Sequence, residues 1–220
     1  MMVIMPGLFI TFEGGEGVGK STQIQILEGW LKRNLNFCDI CITREPGGTK
    51  NAELIRTLLL NGSVNKWLPA TEAMLMSASR HEHVTNVIQP ALQRGGIVVC
   101  DRFSDSTHVY QGYVSGVNQS FLDGLEKLSC DELVPDLTIL LDLCSREGLS
   151  RTAERENFES RFEAKGEAFH QKVRQGFLAR AERYPDRIKK IDAARPIEEV
   201  AEDVILTVSH LLKANHFEII

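Results

Sequence analysis

The sequence predicts an α/β protein, a three-layer α/β/α fold built on a five-stranded parallel sheet. Two observations predict it. Short apolar runs alternate with helical patterns along the chain, the order that βαβ units produce. Several of those runs are nearly unbroken Ile, Val and Leu, as expected of strands covered by helices on both faces. With 220 residues, 43% of them hydrophobic, the chain has enough apolar material for one domain spanning residues 1–220.

The first strand is the apolar run Leu8–Phe12, followed by a helix over Ser21–Asn34. The second strand is expected over Phe37–Thr43, and helices over Asn51–Leu60 and Ala70–Gln93, the latter bent or stopped by Pro90. The run Gly96-Ile97-Val98-Val99-Cys100 is the third strand, and a helix follows at Gln119–Leu128. Leu137–Leu141 is the fourth strand, with helices at Arg146–Arg155 and Gly166–Arg183, and Arg187–Ile191 is the fifth, before a last helix at Ile197–Leu212. Ligands of such open sheets bind beyond the carboxyl ends of the strands.

Composition excludes several classes. No 18-residue apolar stretch is present, so no transmembrane helix is expected. Met1–Pro6 is apolar but too short, and without the basic flank, for a secretion signal. A net charge of −5 argues against a general nucleic-acid binder, so a phosphate ligand must be met by local arginines. The five cysteines, Cys38, Cys41, Cys100, Cys130 and Cys144, are odd in number and lie in apolar segments, which points to reduced thiols in a cytosolic setting. Cys38 and Cys41 stand on opposite faces of a strand, so they are expected to be buried or half-buried thiols. His81 and His83 diverge on a helix and are expected to be solvated.

Residues Gly14-Gly15-Glu16-Gly17-Val18-Gly19-Lys20-Ser21 spell G-x-x-x-x-G-K-[ST] between a predicted strand and a predicted helix. A triphosphate is a dense cluster of negative charge. Glycines let successive N–H groups point inward as an anion nest and let the backbone approach phosphate oxygens unobstructed. The helix dipole adds positive potential. Gly14 through Ser21, with Thr22, are therefore candidate ATP contacts, and the fold is of the P-loop NTPase type. Lys20 is expected to bridge the β- and γ-phosphates, and Ser21 to hold Mg2+. The G-x-G-x-x-G fingerprint of hydride-transfer enzymes is absent.

Two further segments carry chemistry. Thr43-Arg44-Glu45-Pro46-Gly47-Gly48-Thr49 follows the second strand, and Asp101-Arg102-Phe103-Ser104-Asp105-Ser106-Thr107, then Tyr110-Gln111-Gly112-Tyr113, follow the third. Two guanidiniums, Arg44 and Arg102, aimed at one cleft suit a second phosphate. A site for one triphosphate and one monophosphate is a phosphoryl-transfer site. The alternative is that both arginines make structural ion pairs with Glu45, Asp101 or Asp105. Asp101 ends its strand as a candidate Mg2+ ligand. Asp142 is the rival carboxylate, otherwise a helix cap or buried anchor.

Together these segments closely resemble bacterial thymidylate kinase, from about Leu8 to Val200. The resemblance implies transfer of the ATP γ-phosphoryl group to dTMP, giving dTDP for dTTP synthesis, with Mg2+. It implies a cytoplasmic homodimer, joined through the region of Ala70–Ala78, with no nucleic-acid or membrane partner. It places Glu16 toward the acceptor, and Gly17 where eukaryotic relatives carry a loop arginine. It assigns a lid to about residues 145–165, bearing Arg151, Arg155 and Arg161. Arg155 would join Lys20, Arg102 and Glu16 in catalysis, and Arg151 would reach ATP. The alternative for these lid arginines is a solvated helical face.

The same resemblance sets dTMP against Glu16, Arg44, Pro46, Met76, Arg80, Arg102, Ser106, Thr107, Tyr110 and Gln111. Arg80 would hydrogen-bond the thymine edge, with Thr107 and Gln111 also in contact, and Tyr110 would sit against the deoxyribose. Met76 stands where the family stacks a phenylalanine, and its thioether can still pack on a ring; ordinary core is the alternative. Arg195, in Asp192-Ala193-Ala194-Arg195-Pro196, matches a loop beside adenine, with a plain turn as the alternative. Another pyrimidine nucleoside monophosphate is the rival acceptor, and a P-loop nucleotide switch the rival of a different class.

Overall fold

A computed structural model describes residues 7–35, 39–153, 161–162 and 164–219. Cys38 and Arg155, and the starts or ends of elements predicted to reach them, lie outside the described residues. Five strands, β1 (Leu8–Glu13), β2 (Ile40–Arg44), β3 (Ile97–Asp101), β4 (Leu137–Asp142) and β5 (Ile188–Asp192), form one sheet in the order β2-β3-β1-β4-β5. All four pairings are parallel. β1, β3 and β4 are buried almost throughout, whereas the edge strand β5 exposes Lys189 and Lys190, a common way of blunting an edge.

All five strands run one residue past the ends the sequence predicts. Asp101 pairs with Phe12 and with Arg44, and Asp142 with Asp192. Backbone ladders are indifferent to side-chain polarity, so pairing continues into the charged residue. The result is a row of charged side chains along the carboxyl edge of the sheet.

Alternation along β1 divides the core. Leu8, Ile10 and Phe12 face α1 (Lys20–Asn34) and α9 (Ile197–Ala214), packing with Ile24, Leu27 and Leu31 of the first and Val200, Val204, Val208 and Leu212 of the second. The spacing of three to four residues puts each set on one helical face. Phe9 points the other way, into a cluster with Val98, Cys100 and Phe103. That side is covered by α3 (Pro69–His83), α4 (Gln89–Gln93), α6 (Gln119–Cys130) and α8 (Glu167–Arg183), with α2 (Lys50–Leu60) packed on α3. Each fully buried Leu, Ile or Phe in these layers contributes about 1.5–3 kcal/mol.

Two helical details refine the sequence reading. Of the two outcomes expected at Pro90, stopping is not the one seen: a π turn at Val84–Ile88 joins α3 to α4 and carries the chain through to Gln93, the end the sequence predicts. A proline has no N–H to donate, and the wider turn takes up that interruption. The segment after Arg102, to which the sequence reading assigns no helix, is helical: α5 (Ser104–Thr107) runs into a π turn at His108–Val114. The Glu13 carboxylate, on the β1 face opposite Phe12, accepts hydrogen bonds from the N–H groups of Phe103 and Ser106 and so holds the start of this helix. α7 (Ser145–Ala153) leads into the region expected to be the lid. At the C-terminus, Phe217 packs on the first core layer and Ile219 bridges Leu35.

Candidate active site

Past the carboxyl ends of β1, β2 and β3 lies a cleft of about 220 Å3. The phosphate loop forms one wall through Glu16–Ser21. The opposite wall is built from Arg44 and Pro46 after β2, Arg56 of α2, Met76 and Arg80 of α3, and Arg102, Ser106, Thr107, Tyr110 and Gln111 after β3. Lys20 and Arg102 thus face a single cavity.

Gly19 has φ 93° and immediately precedes Lys20, the first residue of α1. Gly17 has φ 69°, and a Cβ added there would lie 2.0 Å from the Gly148 carbonyl oxygen, so α7 rests directly on the loop. Lys20 is buried, and its ammonium donates to the Gly15 carbonyl at 2.9 Å and the Gly14 carbonyl at 3.4 Å. Burial, then the nearby Arg102 charge, lowers its pKa.

Arg102 has φ 68°, a left-handed conformation uncommon for any residue but glycine and often found where function requires it. Its guanidinium donates to the Gly14 carbonyl at 2.9 Å, the Ser106 hydroxyl at 3.2 Å and Glu16 Oε1 at 2.9 Å. The Tyr110 hydroxyl donates to the same Glu16 oxygen at 3.0 Å. Burial works to raise the Glu16 carboxyl, but Arg102, Lys20 and the Tyr110 bond outweigh it and hold the pKa at about 2. Glu13 behaves in the opposite way: burial and the Asp105 charge push it to about 7, against the pull of Arg102 and its own hydrogen bonds. Arg44 is exposed and pairs with Glu53 at 3.2 Å. Asp105 is taken by Arg180 and Arg187, and Glu45 by Arg80 and His83; among the described residues Arg44 pairs with Glu53 and Arg102 with Glu16, not with Glu45, Asp101 or Asp105.

Deeper in the cleft, buried Arg80 donates from Nε to Glu45 at 2.7 Å and from Nη2 to Thr107 at 2.9 Å. Gln111 Nε2 donates to Glu72 at 2.7 Å, and Glu72 also pairs with Arg161. Met76 is half-buried, lining the cleft while also packing against the cluster of Val109, Tyr110 and Phe177.

Other predicted residues are spread more widely. Ser21 and Asp101 both line the cleft, and Asp101 Oδ1 is buried with no hydrogen-bond partner among the described residues. An orphaned carboxylate oxygen, in a cleft that Ser21 also lines, suits a hard divalent cation. Asp142 is instead held by Arg174 at 2.6 and 3.0 Å, as an anchor. Gly14 and Gly15 stand behind the loop, and Thr22 is not on the cleft wall. Arg151 pairs with Glu147 and reaches the Ala193 carbonyl at 3.4 Å, while Arg195 pairs with Asp203; neither lines the cleft.

Two expectations need correction. His83 is fully buried, with Nδ1 3.1 Å from Glu45 and Nε2 2.6 Å from Thr43 Oγ1, because partners forty residues away in sequence close around it. Arg161 is neither a mobile lid cation nor a solvated one. It is buried, donating to the carbonyls of Leu59 at 2.5 Å and Val64 at 3.1 Å as well as to Glu72. Cys41 is a half-buried free thiol, as expected; the free thiols of Cys100 and Cys130 are buried and that of Cys144 is exposed. Sequence reasoning also missed Arg56, Phe162 and Glu72. Arg56 donates to the Pro46 carbonyl at 2.8 Å, and Phe162 packs edge-on against Tyr110. No motif marks Arg56 or Glu72; only the charged character of α2 and α3 could have flagged them.

A family model described as thymidylate kinase matches residues 12–204. A thymidylate kinase of Caulobacter vibrioides is 48% identical over 194 residues, 88% of this chain and 92% of the relative. That of Gloeobacter violaceus is 43% identical over 209 residues, 94% and 97% of the two chains. The crystal structure of thymidylate kinase from Ehrlichia chaffeensis superposes with a TM-score of 0.73 at 33% identity, covering 92% of this chain and 99% of that one. With a family model matched over residues 12–204 and relatives 43–48% identical over most of its length, the chain belongs to the thymidylate kinase family.

Proposed function

We infer that this chain is an ATP-dependent kinase that phosphorylates dTMP to dTDP. The observation that carries the reading is the placement of Lys20 and Arg102 on facing walls of one cleft. In this reading the loop N–H groups and Lys20 hold the donor phosphates. Arg102 and Arg44 hold the acceptor phosphate, with Arg56 adding positive potential. Glu16, kept ionised between Arg102 and Tyr110, faces the acceptor sugar and phosphate. Arg80, Thr107 and Gln111 meet the base, Met76 packs on it, Tyr110 backs the sugar, and Ser106 and Pro46 complete the wall. Catalysis rests on positioning and charge neutralisation, without a covalent intermediate.

Mg2+ would be held by Ser21 and Asp101 and would neutralise phosphate charge. The chain is read as one domain whose segment at about residues 145–165 acts as a lid. Contact of Gly148 with the loop and of Phe162 with the cleft supports this. Arg155, outside the described residues, is the lid arginine assigned to the transferring phosphoryl group, with Arg151 and Arg195 on the ATP side. A cytoplasmic setting accords with the charge of −5, and no helix among the described residues is long and apolar enough to cross a membrane. Neither nucleic acid nor membrane is proposed as a partner.

A second copy of the chain is the proposed protein partner. α2 and α6 both pack on α3, and all three helices carry exposed apolar side chains, Leu54 and Leu58, Met74, and Phe121 and Leu128. Exposed apolar side chains on adjoining helices suit a contact surface.

The decisive experiment supplies labelled ATP with a panel of nucleoside monophosphates. Transfer to dTMP well above UMP and CMP is expected. Acceptor-independent hydrolysis alone would point to a nucleotide switch, and a preference for another monophosphate would replace dTMP in the reading. Sedimentation of the wild type and of Met74→Glu tests the second copy, with a dimer expected only for the wild type.

A further inference from the structure

We propose that Glu72 is a specificity-determining residue that acts through Gln111, turning its carboxamide so that the oxygen, not the amino group, meets the acceptor base. The inference rests on the dTMP kinase reading and deepens it. Glu72 touches no proposed substrate position; it is a positioning residue.

Gln111 Nε2 lies 2.7 Å from Glu72 Oε1. The other Glu72 oxygen takes the Arg161 guanidinium. A carboxylate paired in this way accepts hydrogen bonds and has none to give, so the group Gln111 turns toward it must be its NH2. Arg161 is itself pinned by the carbonyls of Leu59 and Val64, and Glu72 and Gln111 are both buried, which fixes the carboxylate in place. Gln111 Oε1 accepts no hydrogen bond from a described residue, is not among the sealed polar atoms, and belongs to a side chain on the cleft wall. Across the pocket, Arg80 spends Nε and Nη2 on Glu45 and Thr107 and keeps Nη1 as a donor toward the cleft.

The pocket therefore offers one acceptor and one donor. The edge of thymine or uracil presents the complement, an N3–H donor beside an O4 acceptor. Cytosine presents the inverse, an N3 acceptor beside an N4 amino donor. Setting acceptor against acceptor and donor against donor in a buried site is a strong basis for rejection. Because the amide of Gln111 could face either way on its own, the discrimination is set by Glu72.

The test compares kcat/KM for dTMP and dCMP in wild type, Glu72→Gln and Gln111→Met. In Glu72→Gln the new carboxamide can donate to Gln111 Oε1 while still accepting from Arg161, so the Gln111 amino group becomes free to face the base. The dTMP-over-dCMP ratio is expected to narrow by roughly 30-fold or more. A ratio is insensitive to the fraction of folded enzyme, so a purely structural role for Glu72 would lower both activities and leave it unchanged. That outcome overturns the inference. Gln111→Met is expected to narrow the ratio as well, and an undiminished ratio there overturns the inference even if Glu72→Gln does not fold. Wild-type enzyme that transfers to neither acceptor would refute the dTMP kinase reading itself, a result distinct from an unchanged ratio in an active enzyme.

Discussion

Replacing Arg102 with Met separates what that residue does for the fold from what it does for the acceptor. In the wild type its side chain is 16% exposed and that of Glu16 21% exposed, with 2.9 Å between them. Removing one partner of a buried ion pair costs about 3–5 kcal/mol, because the other charge is left uncompensated. With about a fifth of each side chain in solvent, screening brings the expected loss to about 2 kcal/mol. Acceptor phosphate would lose about two charge-assisted hydrogen bonds, each worth about 1.5–3 kcal/mol, so kcat/KM for dTMP should fall by a factor of about 100 or more. The Michaelis constant for ATP should stay within about threefold. Adding Glu16→Gln removes the stranded charge, so the double variant should recover most of the lost stability in urea melts. Its dTMP kinetics should remain defective. Recovery of dTMP use in the double variant, or equal losses for ATP and dTMP in Arg102→Met, would refute the assignment of Arg102 to the acceptor phosphate.

Other outcomes follow from the same geometry. Lys20→Ala should abolish transfer while leaving the unfolding transition intact, and near-normal turnover would remove the phosphate-loop assignment. Gly148→Ala adds a Cβ 2.3 Å from the Glu16 carbonyl oxygen. The clash, about 1–3 kcal/mol, exceeds the roughly 1 kcal/mol gained in helix propensity, so kcat should drop at least tenfold with a slightly lower Tm; a raised Tm with full activity would contradict the close packing of α7 on the loop. Met76→Phe should lower the dTMP Michaelis constant if residue 76 packs on the base, and no change would argue for a purely core role. Glu13, at about 7 when folded against an ordinary value of 4.5, binds its proton more tightly in the folded state. Stability should therefore decline as pH rises from 4.5 to 7, by up to about 3 kcal/mol, and Glu13→Gln should flatten that decline in pH-dependent melts.

What the sequence made legible was local. Strands β1, β3 and β4 are apolar runs buried on both faces, so composition alone locates them, and the phosphate loop is a contiguous motif whose glycines have backbone reasons. The cations Arg44 and Arg102 were legible because they follow strands whose carboxyl ends open on a cleft in any parallel sheet. What stayed hidden depended on distant partners. His83 looks solvated on a helical wheel and is buried because Glu45 and Thr43 close over it. Arg161 sits among charged neighbours in sequence, yet its acceptors are backbone carbonyls about a hundred residues earlier. The helix after Arg102 has a polar sequence with weak periodicity. It is started by Glu13, ninety residues upstream of its first N–H partner.

The central position of β1 has a consequence for the chain as it is made. Its two neighbours, β3 and β4, begin at Ile97 and Leu137, so the strand that carries the phosphate loop leaves the ribosome long before either ladder can form. Until then Leu8 to Phe12 is an adhesive apolar ribbon with both edges open, and only α1 is near enough in sequence to shelter it. Release of a nascent chain before residue 142 would leave one of those edges bare, and synthesis rate over that interval governs how long the newborn polypeptide is exposed to clumping.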